Sequence, residues 1–193
     1  MSPRPLAFTD EQFLAAAAAA IADVGPARLT LAEVAGRVGA APATLVKRFG
    51  SKHGLLVALA AHGAASIEAS IGRPADDRPA LDQLVERIAG LGAGILHSEM
   101  AHHVAFLQLD VADEELRRHA AAFARQLTVG VRRYLTAAHR RGELSCPDLT
   151  RLARAVVTTY NGVMITWALD GAGTLPHRLT DEVDFLLTPY RTG

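Results

Sequence analysis

Residues 29–56, LTLAEVAGRVGAAPATLVKRFGSKHGLL, constrain this chain more than any other stretch, because their punctuation dictates where three successive helices start and stop. Thr30 offers a hydroxyl N-cap, and Glu33, three residues on, is placed to reach back and complete a capping box. Leu29 and Val34 occupy the two positions of a hydrophobic staple around that cap. Leu31, Val34, Ala35 and Val38 then recur at helical spacing. Gly39 stops the helix where a left-handed residue is wanted, and Pro42 suits the first turn of the next, where its missing N–H costs nothing. Ala35, Gly39 and Leu45 have the spacing of a helix-turn-helix: a small residue where helices touch, a glycine in the turn, an apolar anchor behind the second helix. That second helix presents Ala43, Thr44, Lys47 and Arg48 away from its Leu45/Phe49 side. A short helix with a hydroxyl and two cations on its free face suits a DNA major groove. The same spacing also describes an ordinary three-helix packing unit with a basic surface.

TLVKRFGSKHGLL, together with the preceding LTLAEVAGRVGAAPA, resembles the N-terminal DNA-binding domain of the tetracycline-repressor (TetR) family of bacterial regulators. The family pattern Thr-Leu-Tyr-x-x-Phe-x-(Ser/Asn)-Lys-x-x-Leu is met by Thr44, Leu45, Phe49, Ser51, Lys52 and Leu55. Val46 replaces the usual aromatic residue, Ala41 a usual hydroxyl residue, and Gly54 falls at the start of the fourth helix. The resemblance implies an all-α dimer that binds a palindromic operator and is released by a small molecule. It places Thr30, Ala43, Thr44, Lys47, Arg48 and Lys52 at the DNA, with Thr30 and Lys52 holding phosphates at helix starts.

Zero net charge, 20 basic against 20 acidic residues, argues at first against a nucleic-acid partner. The distribution answers this: residues 1–56 carry Arg4, Arg28, Arg37, Lys47, Arg48 and Lys52 against four acids, and half of those cations fall within 47–52. Local positive charge is what phosphate binding needs, and a dimer doubles it. Half of the 193 residues are apolar, yet no run reads as the ~20 uncharged apolar residues that span a bilayer. The N-terminus lacks an apolar signal-peptide core, and a single cysteine, Cys146, fits a reducing cytoplasm. The expected location is cytoplasmic.

In chain order, residues 1–8 read as a loose arm, with Arg4 within reach of DNA. Thr9 and Gln12 form a capping box with Phe8 and Phe13 as its staple, and helix 1 runs through the alanine tract to Val24. Ser51 caps helix 4, which extends to Ile71 and joins head to body. The break at Gly72-Arg73-Pro74 sets the expected boundary, giving a DNA-binding domain over 1–56, a connector over 51–71, and a ligand-binding and dimerisation domain over 72–193. Helix 5 carries Leu81 to Ile95, helix 6 spans Met100–Leu109, and helix 7 runs from near Asp113 to Gly142. Pro147 opens helix 8, which stops at Gly171, and Thr180 caps helix 9. The expected fold is all-α with about nine helices.

No GxSxG, Walker loop, HExxH or dinucleotide motif occurs, so nothing supports an enzyme, a cofactor or a metal site. His97, Glu99, His102 and His103 cluster in sequence, but His102 and His103 point about 100° apart on a helix. Polar residues within apolar helices (Gln108, Gln126, Thr128, Tyr134, Thr158, Thr159, Asn161 and Thr166) must be paired inside the fold, face solvent, or serve a ligand. The ligand reading is a cavity among helices 5 to 8. It is lined by Met100, His103, Val104, Phe106, Leu107 and Phe123, with Gln126 and Asn161 among its polar handles. Such a lining favours a largely hydrophobic effector, uncharged or weakly charged. The late apolar stripes, Tyr160, Val163 and Trp167 on helix 8 and Val183, Leu186 and Leu187 on helix 9, either pack on the body or pair with a second subunit, as the resemblance implies. The rival readings are a regulator of the same fold with a protein trigger or none, and a helical metal-binding protein or enzyme.

Overall fold

The computed structural model describes residues 8–192; Arg4 and the rest of the expected N-terminal arm before Phe8 lie outside the described residues. Among the described residues nine α-helices follow one another: α1 Asp10–Arg28, α2 Leu31–Val38, α3 Pro42–Phe49, α4 Lys52–Ile71, α5 Ala80–Gly90, α6 Met100–Ala112, α7 Glu114–Arg140, α8 Leu149–Asp170 and α9 Leu175–Leu187. Short 3-10 turns occupy His97–Glu99 and Thr188–Tyr190. Among the described residues there is no strand, only an isolated bridge between Leu144 and Arg191. Two compact units result, residues 1–63 with 99–120, and residues 64–98 with 121–193. This division is not linear in sequence: α6 packs on α1, so it groups with the N-terminal helices.

The first unit is built on caps. Thr9 Oγ1 accepts from the Gln12 amide at 3.2 Å while Gln12 Oε1 accepts from the Thr9 amide at 2.9 Å, and the Phe8 and Phe13 rings meet at 5.7 Å. Gly25 takes φ +78, so α1 breaks there and resumes for one turn to Arg28 instead of ending at Val24. Thr30 Oγ1 accepts from the Glu33 amide at 3.1 Å. The return bond of the expected capping box does not form, because the Glu33 carboxylate pairs with Arg37 at 2.9 Å. Arg37 also reaches Asp23 at 2.7 Å, which fastens α2 to α1. Phe13, Ala17, Leu29, Val34, Leu45 and Leu55 form the centre of the core, none more than 1 % exposed.

α4 is long and apolar enough to cross a membrane by length and composition alone, although Lys52, His53, His62 and Glu68 interrupt its apolar run. Its first turns instead bury Leu55 and Leu56 in the core of the first unit.

In the second unit, α5 and α8 both pack on α9. Gly130 on α7 leaves a notch for Ile71, whose Cγ2 lies 2.5 Å from where a Cβ would stand. The buried Tyr134 hydroxyl donates to the Ile71 carbonyl at 2.9 Å. Pro79 cannot cap α5 with a side chain, and Glu143 does so from the α7–α8 loop, accepting from the Ala80 amide at 2.7 Å and the Leu81 amide at 3.2 Å. α5 ends at Gly90, so Ile95 falls outside it. α8 is capped by Asp148, one residue after the expected Pro147, through the Arg151 amide at 2.9 Å. α9 begins a turn and a half before the expected Thr180: Thr174 is its N-cap and Pro176 sits in its first turn.

Candidate nucleic-acid interface and effector region

The turn between α2 and α3 has the geometry its residues dictate. Gly39 adopts φ +74, ψ 24, and the Ala40 amide returns to the Ala35 carbonyl at 2.9 Å. Pro42 opens α3 behind Ala41, which has no side chain with which to cap it. Leu45 is fully buried, and Ala43, Thr44, Val46, Lys47 and Arg48 are exposed. Thr30 is exposed at the start of α2.

The expected DNA-contacting cations are not equivalent. Lys47 is exposed and forms no ion pair among the described residues. Arg48 is committed to α1: its Nε lies 2.8 Å from Asp10 Oδ1, its Nη1 donates to the Phe8 carbonyl, and its guanidinium sits 5.5 Å above the Phe13 ring. Lys52 Nζ donates to the Ala27 carbonyl at 2.7 Å, next to the C-terminal end of α1, where a cation complements the unpaired carbonyls. Arg48 and Lys52 therefore tie α3 and α4 to α1. Sequence spacing counted them as free because it cannot register a partner that is distant along the chain.

Gly54 holds the corner between α3 and α4. A Cβ there would stand 2.0 Å from the Phe49 carbonyl oxygen, so only glycine fits. Ser51 Oγ accepts from the Gly54 amide at 3.1 Å and caps α4.

The eight residues expected to line an effector cavity fall in both units. Met100, His103, Val104, Phe106 and Leu107 lie on α6 in the first, and Phe123, Gln126 and Asn161 lie in the second. Met100 is buried; His103, Val104, Phe106 and Phe123 are half-buried. Gln126 and Asn161 are exposed, a correction to their expected role as handles, because the polar residues of these helices largely face solvent or bond locally. Gln108 and Thr158 are exposed too. Thr128 Oγ1 donates to the Ala124 carbonyl at 2.7 Å and Thr166 Oγ1 to the Gly162 carbonyl at 3.0 Å. Desolvation pulls the half-buried His103 below the usual histidine range, against the raising influence of Glu99.

The histidine cluster does not converge. His102 bonds to the Ala22 carbonyl, while His97 packs edge-on against Trp167 with ring centroids 5.3 Å apart. Among the described residues no group of three or more His, Cys, Asp or Glu is placed to hold a metal ion.

The residues expected in a subunit seam also need correction. Trp167, Val163, Val183 and Leu187 are buried within the chain, and Trp167 Nε1 donates to the Gly173 carbonyl at 3.3 Å. Tyr160 and Leu186 are half-buried, and burial pushes the Tyr160 hydroxyl above its usual range. The exposed apolar side chains of α8 and α9 are Ile165, Leu169 and Phe185, the last two 83 % and 77 % exposed. Helical spacing identified the apolar residues but assigned the solvent-facing stripe to the wrong members.

Residues 13–59, which enclose the α2–α3 motif, match the family of bacterial regulatory proteins, tetR family. HTH-type transcriptional regulators of Mycobacterium bovis and Mycobacterium tuberculosis are 28 % identical over 155 residues, covering 77 % of this chain and 76 % of theirs. Among solved structures, SmeT, the repressor of the Stenotrophomonas maltophilia multidrug efflux pump SmeDEF, is similar with a TM-score of 0.68 and 21 % identity, covering 96 % of this chain and 92 % of its own. The SmeT–triclosan complex superposes with a TM-score of 0.67 at 20 % identity, covering 95 % of this chain and 91 % of its own. The TetR-family regulator PfmR of Thermus thermophilus gives 0.66 at 21 % identity, covering 91 % and 97 %. Fold and motif agree across these comparisons: residues 13–59 match the tetR family of bacterial regulatory proteins, and the chain as a whole shares the fold of these solved regulators.

Proposed function

We propose that this regulator acts as a homodimeric repressor, in the cytoplasm, whose two α3 helices enter successive major grooves of a palindromic operator. The observation that carries this reading is the outward face of α3, where Thr44 and Lys47 face solvent while Leu45 anchors the helix from behind. Thr44 and Lys47 contact bases or adjacent phosphates, Ala43 allows close approach, and Thr30 contributes at the start of α2. Arg48 and Lys52 position α3 and α4 through α1. Ile165, Leu169 and Phe185 supply the apolar face on which a second copy packs.

A small-molecule effector binding along α6 releases the DNA. The solved complex of SmeT with triclosan supports a ligand-responsive body in this fold. Selection on random DNA tests the proposal: a recovered palindrome supports dimeric operator binding, and an asymmetric or unspecific pool rejects it.

A further inference from the structure

We infer that the face of α6 around Asp110 binds the positively charged head of a lipophilic cation, a protonated alkyl- or arylamine, whose apolar body lies along Phe106, Leu107 and Val111. This rests on the reading that α6 receives the effector, and it narrows the effector's class.

Asp110 Oδ1 is buried and has no hydrogen-bond partner. Buried polar oxygens in folded proteins are almost always paired, and an unpaired carboxylate carries a far larger desolvation cost than a neutral group. Two charged groups near it along the chain, Asp113 and Arg117, are engaged elsewhere. Asp113 holds His53 at 3.0 Å and caps α7, and Arg117 Nη1 donates to the Val111 carbonyl at 2.9 Å. Burial alone pushes the Asp110 carboxyl up to about 6, so it is still mostly ionised at neutral pH while lacking a countercharge.

His103 is two turns earlier on the same stripe of α6, since seven residues turn the helix by nearly two full rotations. Burial there disfavours its protonated form, which weakens it as a competing cation. Phe106, one turn before Asp110, is half-buried, while Leu107 and Val111 are 45 % and 64 % exposed. An apolar helix face with one uncompensated carboxylate is complementary to an amphiphile with a cationic end. A neutral effector can at most donate a hydrogen bond to Oδ1 and leaves the carboxylate without a countercharge, and an anionic one is repelled. The effector is thus charged, against the expectation drawn from composition of the lining alone.

A matched series tests this on the full-length protein: 4-phenylbutylamine, 4-phenyl-1-butanol and 4-phenylbutyrate, titrated by calorimetry into the wild type and Asp110→Asn at pH 7.5 and pH 5. The expected result is at least tenfold tighter binding of the amine than of the alcohol at pH 7.5. That preference shrinks at pH 5 and disappears in Asp110→Asn, while the alcohol binds both proteins alike. In the wild type the amine, and not the alcohol, lowers the Asp110 titration midpoint followed by carboxyl carbon chemical shift. Equal binding of amine and alcohol, or an amine preference that survives Asp110→Asn, overturns the cation assignment and leaves α6 as an effector face. Binding by none of the three overturns both.

Discussion

His102 Nδ1 lies 2.6 Å from the carbonyl oxygen of Ala22, and the imidazole fills the space that a side chain at position 25 would occupy. Three features of α1 make this joint. Gly25 carries no Cβ; one built there would stand 2.8 Å from His102 Cδ2. Pro26 has no N–H, so it cannot compete for the Ala22 carbonyl four residues before it. The break at Gly25 opens the backbone. The carbonyl requires a donor, which fixes a proton on Nδ1. His102→Ala is expected to destabilise the protein by about 1–3 kcal/mol in chemical denaturation, since it leaves a shielded acceptor unpaired. His102→Asn, which keeps a donor near that point, is expected to recover part of the loss. Equal stability of wild type and His102→Ala would show that water replaces the imidazole without cost.

Asp110 sets an acid dependence of stability. Its folded pKa is raised from 3.8 to about 6, so the folded state holds its proton where the unfolded chain has lost it. Stability from this group is therefore full below pH 4, falls as pH rises toward 6, and becomes a constant deficit above that. Asp110→Asn is expected to stabilise the free protein at pH 7.5 by on the order of 1–2 kcal/mol, discounted for partial exposure, with no gain at pH 3.5. Urea denaturation at the two pH values measures both.

Lys47 and Lys52 are expected to separate in DNA binding. Lys47→Ala should weaken operator binding and reduce the slope of log affinity against log salt by about one counterion, with the melting temperature unchanged. Lys52→Ala should lower the melting temperature as well, because it removes the tether to the Ala27 carbonyl. Identical behaviour of the two variants would mean that this tether adds no stability and that Lys52 meets phosphate as Lys47 does.

The seam between subunits is expected on the exposed side of α8 and α9. The double variant Leu169→Glu, Phe185→Glu should give a folded monomer by light scattering with wild-type helicity, because neither side chain supports the core. Trp167→Ala should instead lower stability by about 3–5 kcal/mol, the cost of emptying a buried aromatic position. A dimer unaffected by the double variant would place the seam elsewhere.

The helix-turn-helix was legible in sequence because its signals are local. Thr9 with Gln12, Thr30, Gly39, Pro42 and Ser51 each act within four residues of themselves, and each takes its expected place in the structure. What escaped is non-local. Glu143 caps a helix more than sixty positions away, Lys52 reaches back to Ala27, and His102 reaches back to Ala22. Periodicity locates the apolar residues of α8 and α9 but cannot say which stripe the chain itself covers: Trp167 and Val183 are buried within it, and Phe185 faces solvent. Thr174 was passed over for Thr180 although Pro176, two residues on, marks a helix start there. The unpaired oxygen of Asp110 has no sequence signature, since pairing depends on what surrounds a group in space.

The contact at Gly54 has a mechanical consequence. There is no room for a Cβ between α4 and the Phe49 carbonyl, and Ser51 caps the first turn, so α3 and α4 meet at a closely packed corner. A hinge absorbs angular motion; a corner packed this closely is expected to pass it on. A tilt of the first turns of α4 is expected to swing Thr44 and Lys47 with it, the two helices moving as one bent crank. Gly54→Ala would force that crank open, and the fault would surface as a misdirected recognition helix even where the rest of the domain kept its fold.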